Sequence, residues 1–177
     1  MSFLIVSASL NSESNSRSLA REAERVLRAA GHEVVFLDLR DLPLPICDGE
    51  KAYDDPNALR ADRLVAAADG IIVATPIYNY DASASVKNFI ELTGKAWTNK
   101  VVGFLCSAGG HGSYMSIMAL ANSLMLDFRC LIVPRFVYAT GAAFSGDRIV
   151  EASIVARVDE CAQATARLAA AVKSATG

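Results

Sequence analysis

The stretch Ser7-Ala8-Ser9-Leu10-Asn11-Ser12-Glu13-Ser14-Asn15-Ser16 decides how the rest of this sequence is read. It follows the apolar run at residues 3–6, Phe-Leu-Ile-Val, which is partly β-branched as a strand buried in a parallel sheet would be. It precedes an amphipathic stretch that reads as a helix. Five serines and two asparagines in ten residues supply hydroxyl and amide groups, and a helix beginning there adds free backbone N–H groups and the positive end of its dipole. We read the stretch as a cradle for a terminal phosphate. Side-chain donors in place of a glycine-rich turn favour a mononucleotide over a dinucleotide. Serine and asparagine are also ordinary loop and N-cap residues. Position decides between the readings, because open α/β sheets place phosphates between the first strand and the first helix. A carboxylate beside a phosphate is unfavourable, so Glu13 is expected to point to solvent.

Working outward, residues 17–30 carry Leu19, Ala23, Val26, Leu27 and Ala30 at helical spacing, with Gly31 placed to end the helix. Residues 33–38 read as a second buried strand, which makes a strand-helix-strand unit with a right-handed crossover and a parallel sheet. A long connection follows at 39–55, with Pro43, Pro45 and Gly49. A second helix is expected at 56–68, capped by Asp55 with Pro56 in its first turn, and a third strand at 70–74. Pro76 is expected to end that ladder, because it has no N–H to give. The loop 75–83 carries Tyr78, Asn79 and Tyr80. A helix at 84–95 and a fourth strand at 100–106 come next.

Residues 107–113, Ser-Ala-Gly-Gly-His-Gly-Ser, form the third notable loop. Its glycines let the backbone come close to a flat ligand. The helix at 114–126 is apolar almost all round and is expected to be buried, partly at a subunit interface. A fifth strand at 130–133, an irregular segment at 135–147 and a last helix at 150–174 complete the chain.

This alternation predicts one α/β domain over residues 1–177. The expected fold is a flavodoxin-like three-layer sandwich, a five-stranded parallel sheet of order 2-1-3-4-5 with helices on both faces. The order sets strands 1, 3 and 4 side by side, so the three loops singled out by composition share one edge. FMN in flavodoxin, the familiar example of this order, sits in the crevice between strands 1 and 3. Each loop suits a part of that ligand: hydroxyls and a helix N-terminus for phosphate, aromatic and amide groups or open backbone for a planar ring.

Composition narrows the function further. The chain has 177 residues, 53% hydrophobic and 20% charged, with a net charge of −2. That balance gives no reason to expect nucleic acid or a membrane surface as partner. No apolar stretch approaches the roughly 18 residues of a membrane span. The N-terminal run is too short, and lacks the basic flank, for a signal peptide, so a cytoplasmic protein is expected. Cys47, Cys106, Cys130 and Cys161 are scattered, with no C-x-x-C pair, and are read as reduced structural thiols. No metal site is expected.

The sequence resembles the NAD(P)H-dependent FMN reductase family of flavodoxin-like proteins. The likeness runs over Ser9-Leu10-Asn11 with Ser14-Asn15-Ser16-Arg17, residues 38–45 (Asp-Leu-Arg-Asp-Leu-Pro-Leu-Pro), residues 68–79 (Ala-Asp-Gly-Ile-Ile-Val-Ala-Thr-Pro-Ile-Tyr-Asn) and Lys87-Asn88. By that resemblance Ser9, Asn11, Ser14, Asn15 and Ser16 contact the FMN phosphate, and Pro76, Ile77, Tyr78 and Asn79 contact the isoalloxazine. Ser107, Gly109 and Gly110 belong to the strand 4 loop. The chain departs from the family at Asn11, where members often carry an arginine; Arg17 is a candidate to compensate.

The resemblance implies hydride transfer from nicotinamide C4 of NADPH or NADH to flavin N5, then passage of electrons to a small-molecule acceptor such as free flavin or a quinone. No catalytic side chain is required. A homodimer or homotetramer is expected. The alternative from another class is a flavodoxin-type electron carrier or FMN-binding module. A receiver domain is excluded because Ser7 and Thr75 stand where aspartates are needed, and a low-molecular-weight phosphatase because the first loop has no cysteine. A P-loop is excluded by the missing G-K-[ST]. His111 reads as a polar surface group with nicotinamide contact as its alternative, Tyr78 and Tyr80 read equally as caps on the ring or as packing residues, and Lys87 reads as solvated.

Overall fold

The structure, a computed structural model, describes residues 1–176. In chain order its main elements are β1 (Ser2–Ser7), α1 (Asn15–Ala29), β2 (Glu33–Asp38), α2 (Pro56–Ala67), β3 (Gly70–Tyr78), β4 (Asp81–Ala82) and α3 (Ala84–Thr93). They continue with β5 (Val101–Ala108), α4 (Met118–Phe128), β6 (Leu131–Ile132), β7 (Val137–Thr140), β8 (Phe144–Ser145), β9 (Arg148–Ile149) and α5 (Ala152–Thr176). The main sheet runs β2-β1-β3-β5-β6, and β7 also pairs with β5. The neighbouring pairs along this order are parallel.

The order of the first four long strands is the expected one, and strand alternation explains the layers. Phe3 and Ile5 face one side with Leu19, Ile72, Leu105 and Val158. Leu4 and Val6 face the other with Ile71, Val73, Phe89, Trp97 and Phe104. The sheet is therefore buried on both faces, by α1 and α5 on one and by α2, α3 and α4 on the other. Asp55 caps α2 through Asn57 N (2.8 Å) and Ala58 N (3.2 Å), with Pro56 in the first turn as its fixed φ allows. Trp97 is wholly buried edge-on to Phe89, and its indole N–H donates to Thr93 Oγ1 at 2.7 Å.

Several expectations are corrected. The sheet has seven strands, not five. The fifth position is shared: after Val133 N donates to Val102 O at 2.9 Å, Arg135 takes a positive φ of 58° that turns the chain, and it returns as β7 beside Leu105–Ala108. The segment read as irregular thus contains β7 and the small β8-β9 sheet. β3 runs through Pro76 to Tyr78. The carbonyl of Ala74 accepts from Ala8 N at 2.9 Å, so groups on that side of β3 face β1, and Pro76, two residues on, faces that way past the end of β1. The ladder with β1 stops there, the Ala8 carbonyl accepting from Ser85 Oγ in place of a ladder N–H, while β3 goes on beside β5 with Pro76 opposite Ser107. β5 extends to Ala108, which puts Ser107 inside the strand. Asn15 and Ser16 are the first residues of α1 rather than loop, with Ser14 as N-cap.

The apolar stretch at 114–126 is not one buried helix. It opens as a 3₁₀ turn (His111–Ile117) and continues as α4. Leu120, Ala121 and Leu124 enter the core, while Tyr114, Met115, Met118 and Leu126 are exposed. A 3₁₀ turn (Gly94–Trp97) also follows α3 where the helix was expected to continue, and Val150 lies outside the last helix.

α5 comes closest to the sheet at Gly103 of β5. A Cβ there would lie 2.7 Å from Thr165 Oγ1 and 3.1 Å from Cys161 Sγ. Thr165 Oγ1 is itself committed to the Cys161 carbonyl at 2.8 Å. Gly103→Ala is therefore expected to destabilise by about 1–3 kcal/mol through overpacking, read as a lowered thermal midpoint; an unchanged midpoint would mean that α5 yields at no cost.

Candidate functional site

The loop after β1 owes its shape to Arg17 in the first turn of α1. Its Nε and Nη2 hold Asp38 at 2.6 and 3.3 Å, Nη1 donates to the carbonyls of Asn11 (3.0 Å) and Ser12 (3.1 Å), and Nη2 also donates to Ser9 O (3.2 Å). A guanidinium has five N–H donors, and all are used. Arg17 therefore faces inward to the loop and to the end of β2, and does not replace a phosphate-binding arginine at Asn11. Because a peptide is planar with N–H opposed to C=O, drawing these carbonyls down turns the N–H groups of Leu10 and Ser12 away from Arg17. Arg40 N also donates to Asp38 Oδ1, at 3.0 Å.

The loop is trimmed by short local bonds. Asn11 N donates to Ser9 Oγ (3.2 Å) and Glu13 N to Asn11 Oδ1 (3.0 Å). Ser14 Oγ accepts from Arg17 N at 3.3 Å and lies 2.9 Å from Ser16 Oγ. The first amides of α1, at Asn15 and Ser16, lead the helix at the open end, where an anion is favoured.

The end of β3 is a tight hairpin into β4, with Asn79 (φ 51°) and Tyr80 (φ 64°) both left-handed. Two positive φ values suit the twist of a two-residue hairpin. For an aromatic side chain the conformation is strained. Tyr80 projects toward Gly112, where a Cβ would be 3.2 Å from its hydroxyl. Beneath the hairpin a chain of hydroxyls joins Thr75, Ser83 and Ser85 to the carbonyl of Ala8, the last step at 2.5 Å. It ties the end of β1 to the end of β3. Asn88 braces the long connection from below, its Nδ2 donating to Pro45 O and its Oδ1 accepting from Cys47 N.

These elements enclose a crevice of about 710 Å³, lined by Ser9, Asn11, Ser14, Asn15, Ser16, Pro76, Ile77, Tyr78, Asn79, Ser107 and Gly109. Of the residues named from the sequence, only Gly110 stands outside this lining; its carbonyl is turned to Tyr138. Glu13, Ala108 and Gly141 complete it. Glu13 is exposed, as expected, but at the rim. A larger groove of about 960 Å³ shares Glu13, Ser14 and Asn15 and runs along α1 to the β8-β9 hairpin. Its Arg21 and Arg25 are paired with Glu24 and Glu22, which makes it a solvated flank, whereas the smaller crevice collects the three loops.

Of the lining residues only Glu13 and Tyr78 bear ionisable side chains, so the crevice can bind and orient but offers no acid-base pair. All four cysteines are free, and burial pushes the Cys106 thiol up and those of Cys130 and Cys161 up to about 11, away from the reactive thiolate. No helix among the described residues is long and apolar enough to cross a membrane.

A family model of NADPH-dependent FMN reductases matches residues 1–145. The chain belongs to that family. An NAD(P)H-dependent FAD/FMN reductase of Geobacillus thermodenitrificans is 28% identical over 145 residues, 80% of this chain and 77% of that protein. A probable NADPH:quinone oxidoreductase of Oryza sativa subsp. japonica is 30% identical over 136 residues, 73% and 67% of the two chains. Among solved structures, RosB superposes with a TM-score of 0.83 at 19% identity, over 98% of this chain and 81% of that one. An oxidoreductase from Corynebacterium diphtheriae gives 0.75 at 22% identity, over 96% of each. These likenesses carry the fold. The FMN reductase match ends at Ser145, before α5.

Sequence reading passed over Asp38 as a partner for Arg17 and did not single out Tyr138. The signal for the first pair was present: an arginine opening the first helix and an aspartate closing the second strand, on strands that must be neighbours. Arg17→Ala leaves Asp38 and three carbonyls without their donor, and is expected to destabilise by about 2–4 kcal/mol. Limited proteolysis should then cut within residues 9–14 in the variant and not in the wild type. An uncut loop would show that it keeps its shape without the guanidinium.

Proposed function

We propose that the crevice binds FMN and that the protein is an NAD(P)H-dependent flavin reductase delivering electrons to a small-molecule acceptor. The observation that carries this reading is the convergence of three loops, singled out by composition, on one cavity of ligand size. The residues fit the cofactor. At one end are the hydroxyls of Ser9, Ser14 and Ser16, the amides of Asn11 and Asn15 and the start of α1, a neutral donor set suited to a phosphate. At the other end, Pro76, Ile77, Tyr78 and Asn79 offer an apolar wall with amide groups, and a Cβ on Gly109 would meet no protein atom within 4 Å. A planar ring can approach that backbone.

The chemistry FMN supplies when bound is acceptance of hydride at N5 from nicotinamide C4 and return of two electrons to the acceptor. The protein's own contribution is placement and electrostatics. Serine hydroxyls hold the phosphate, Tyr78 and its neighbours orient the ring, and backbone N–H groups of Gly109 and Gly110 meet charge that grows on reduction. Relatives named as quinone oxidoreductases and an azoreductase of Bacillus support a quinone or azo compound as acceptor. Four free thiols and the use of NAD(P)H suit a reducing, cytoplasmic setting.

We also assign a second copy of this chain to the exposed apolar surface around Tyr114, Met115 and Met118. That surface lies at the start of α4, on the chain leaving the crevice. Light scattering is expected to report a dimer or tetramer, and a monomer would remove the assignment.

The function is tested by the visible spectrum after FMN is added and the protein desalted or, for loosely held flavin, kept in excess, followed by anaerobic NADPH. Flavin absorbance that bleaches promptly supports the reductase; flavin that stays oxidised points instead to an electron carrier. Gly109→Val, whose Cβ would meet no protein atom within 4 Å, is expected to keep the fold and abolish flavin binding. Retained yellow protein would place the ring elsewhere.

A further inference from the structure

Tyr138 stands on β7 opposite Cys106 of β5, outside the crevice. Its phenol oxygen lies 2.5 Å from the carbonyl of Gly110 and 2.7 Å from Ser113 Oγ. A carbonyl only accepts, and a phenol has a single proton. The phenol therefore donates to Gly110, and Ser113 donates to the phenol. The two bonds run in one direction, so each polarises the other. The ring is held from its side by Tyr114, edge-on at 5.3 Å, which in turn rests on Phe136 at 4.9 Å.

This chain ends on the part of the crevice wall that steric contact leaves undetermined. Gly109 and Gly110 have no side chains, and a Cβ on either would meet nothing within 4 Å. Gly110 is extended (φ −162°, ψ 178°), a conformation open to any residue, and no side chain caps the 3₁₀ turn that begins at His111. Two adjacent glycines lose more conformational freedom on ordering than any other pair. Ala108 is fixed by its pairing with Thr140 on β7, and the bond from Tyr138 fixes the Gly110–His111 peptide, so the glycine pair is held at both ends.

We propose that Tyr138 is a positioning residue for the flavin: by holding the Gly110 carbonyl it anchors the far end of the glycine pair, and so confines the backbone N–H groups of Gly109 and Gly110 to one arrangement, facing the edge of the ring where negative charge collects on reduction. This rests on FMN occupying the crevice. Donors fixed in advance stabilise the reduced flavin more than the oxidised one, because the charge they meet is larger. Loss of the phenol hydroxyl therefore weakens both forms, the reduced one further, and moves the bound flavin's potential to a more negative value.

The test compares wild type, Tyr138→Phe and Ser113→Ala by FMN fluorescence titration of the apoproteins and by equilibration of bound flavin against reference dyes. In Tyr138→Phe the Kd for oxidised FMN is expected to rise about three- to tenfold. The reduced form should lose up to about tenfold more, a shift of about −30 mV for a two-electron couple. Ser113→Ala, which keeps the phenol-to-carbonyl bond but removes its polarising donor, is expected to move both values the same way by less; it decides the matter if Tyr138→Phe fails to fold. An unchanged Kd, or equal losses for the two forms with the potential unmoved, overturns the positioning role. A wild type that does not quench FMN overturns the crevice assignment itself, and Tyr138's role with it.

Discussion

The contact on which the site depends is the Arg17 guanidinium, held by Asp38 and donating to the carbonyls of Ser9, Asn11 and Ser12. The pair is close to buried, with the side chains 16% and 8% exposed. Removing such charges from water is costly unless every donor is satisfied, and here the loop backbone completes the set. The same bonds that satisfy the arginine shape the cradle. A loop of serines and asparagines has little apolar surface to hold it together, so it is ordered from beneath by one cation whose charge is neutralised before any ligand arrives. The open side of the loop is then left with neutral donors.

The sheet supplies the rest of the arrangement. With β1, β3 and β5 side by side and buried on both faces, their C-terminal ends are fixed relative to one another by the core, and the loops inherit that precision. The ends are then joined by polar contacts, the hydroxyl chain from Thr75 to Ala8 and the Tyr138 bond to Gly110. Apolar packing places the strands, and hydrogen bonds aim the loops. This division of labour explains why the crevice can be rich in small and flexible residues without being shapeless.

α4 breaks the pattern in an informative way. The 3₁₀ turn and α4 together bury Ile117, Leu120, Ala121 and Leu124 in the core and leave Tyr114, Met115 and Met118 at the surface. Solvation of such a surface is unfavourable. Its position beside the β5 loop links whatever covers it to the geometry of the site.

The sequence by itself determined what local pattern can carry. Alternating apolar runs and amphipathic stretches gave the parallel α/β architecture; Asp55-Pro56 and Gly31 marked helix ends; the polar and glycine-rich composition after strands 1 and 4 located the crevice. Only the tertiary structure decided that Arg17 turns inward to Asp38, that Pro76 lies within a strand because β3 goes on pairing with β5 beyond the ladder to β1, and that the fifth position is filled by two short strands. It also decided that the Gly110 carbonyl turns to Tyr138 and that Gly110 stays out of the crevice lining. The reason is common to all four. Each depends on which groups meet across strands distant in sequence, and on the direction a side chain or carbonyl takes there, neither of which leaves any periodicity in the chain itself.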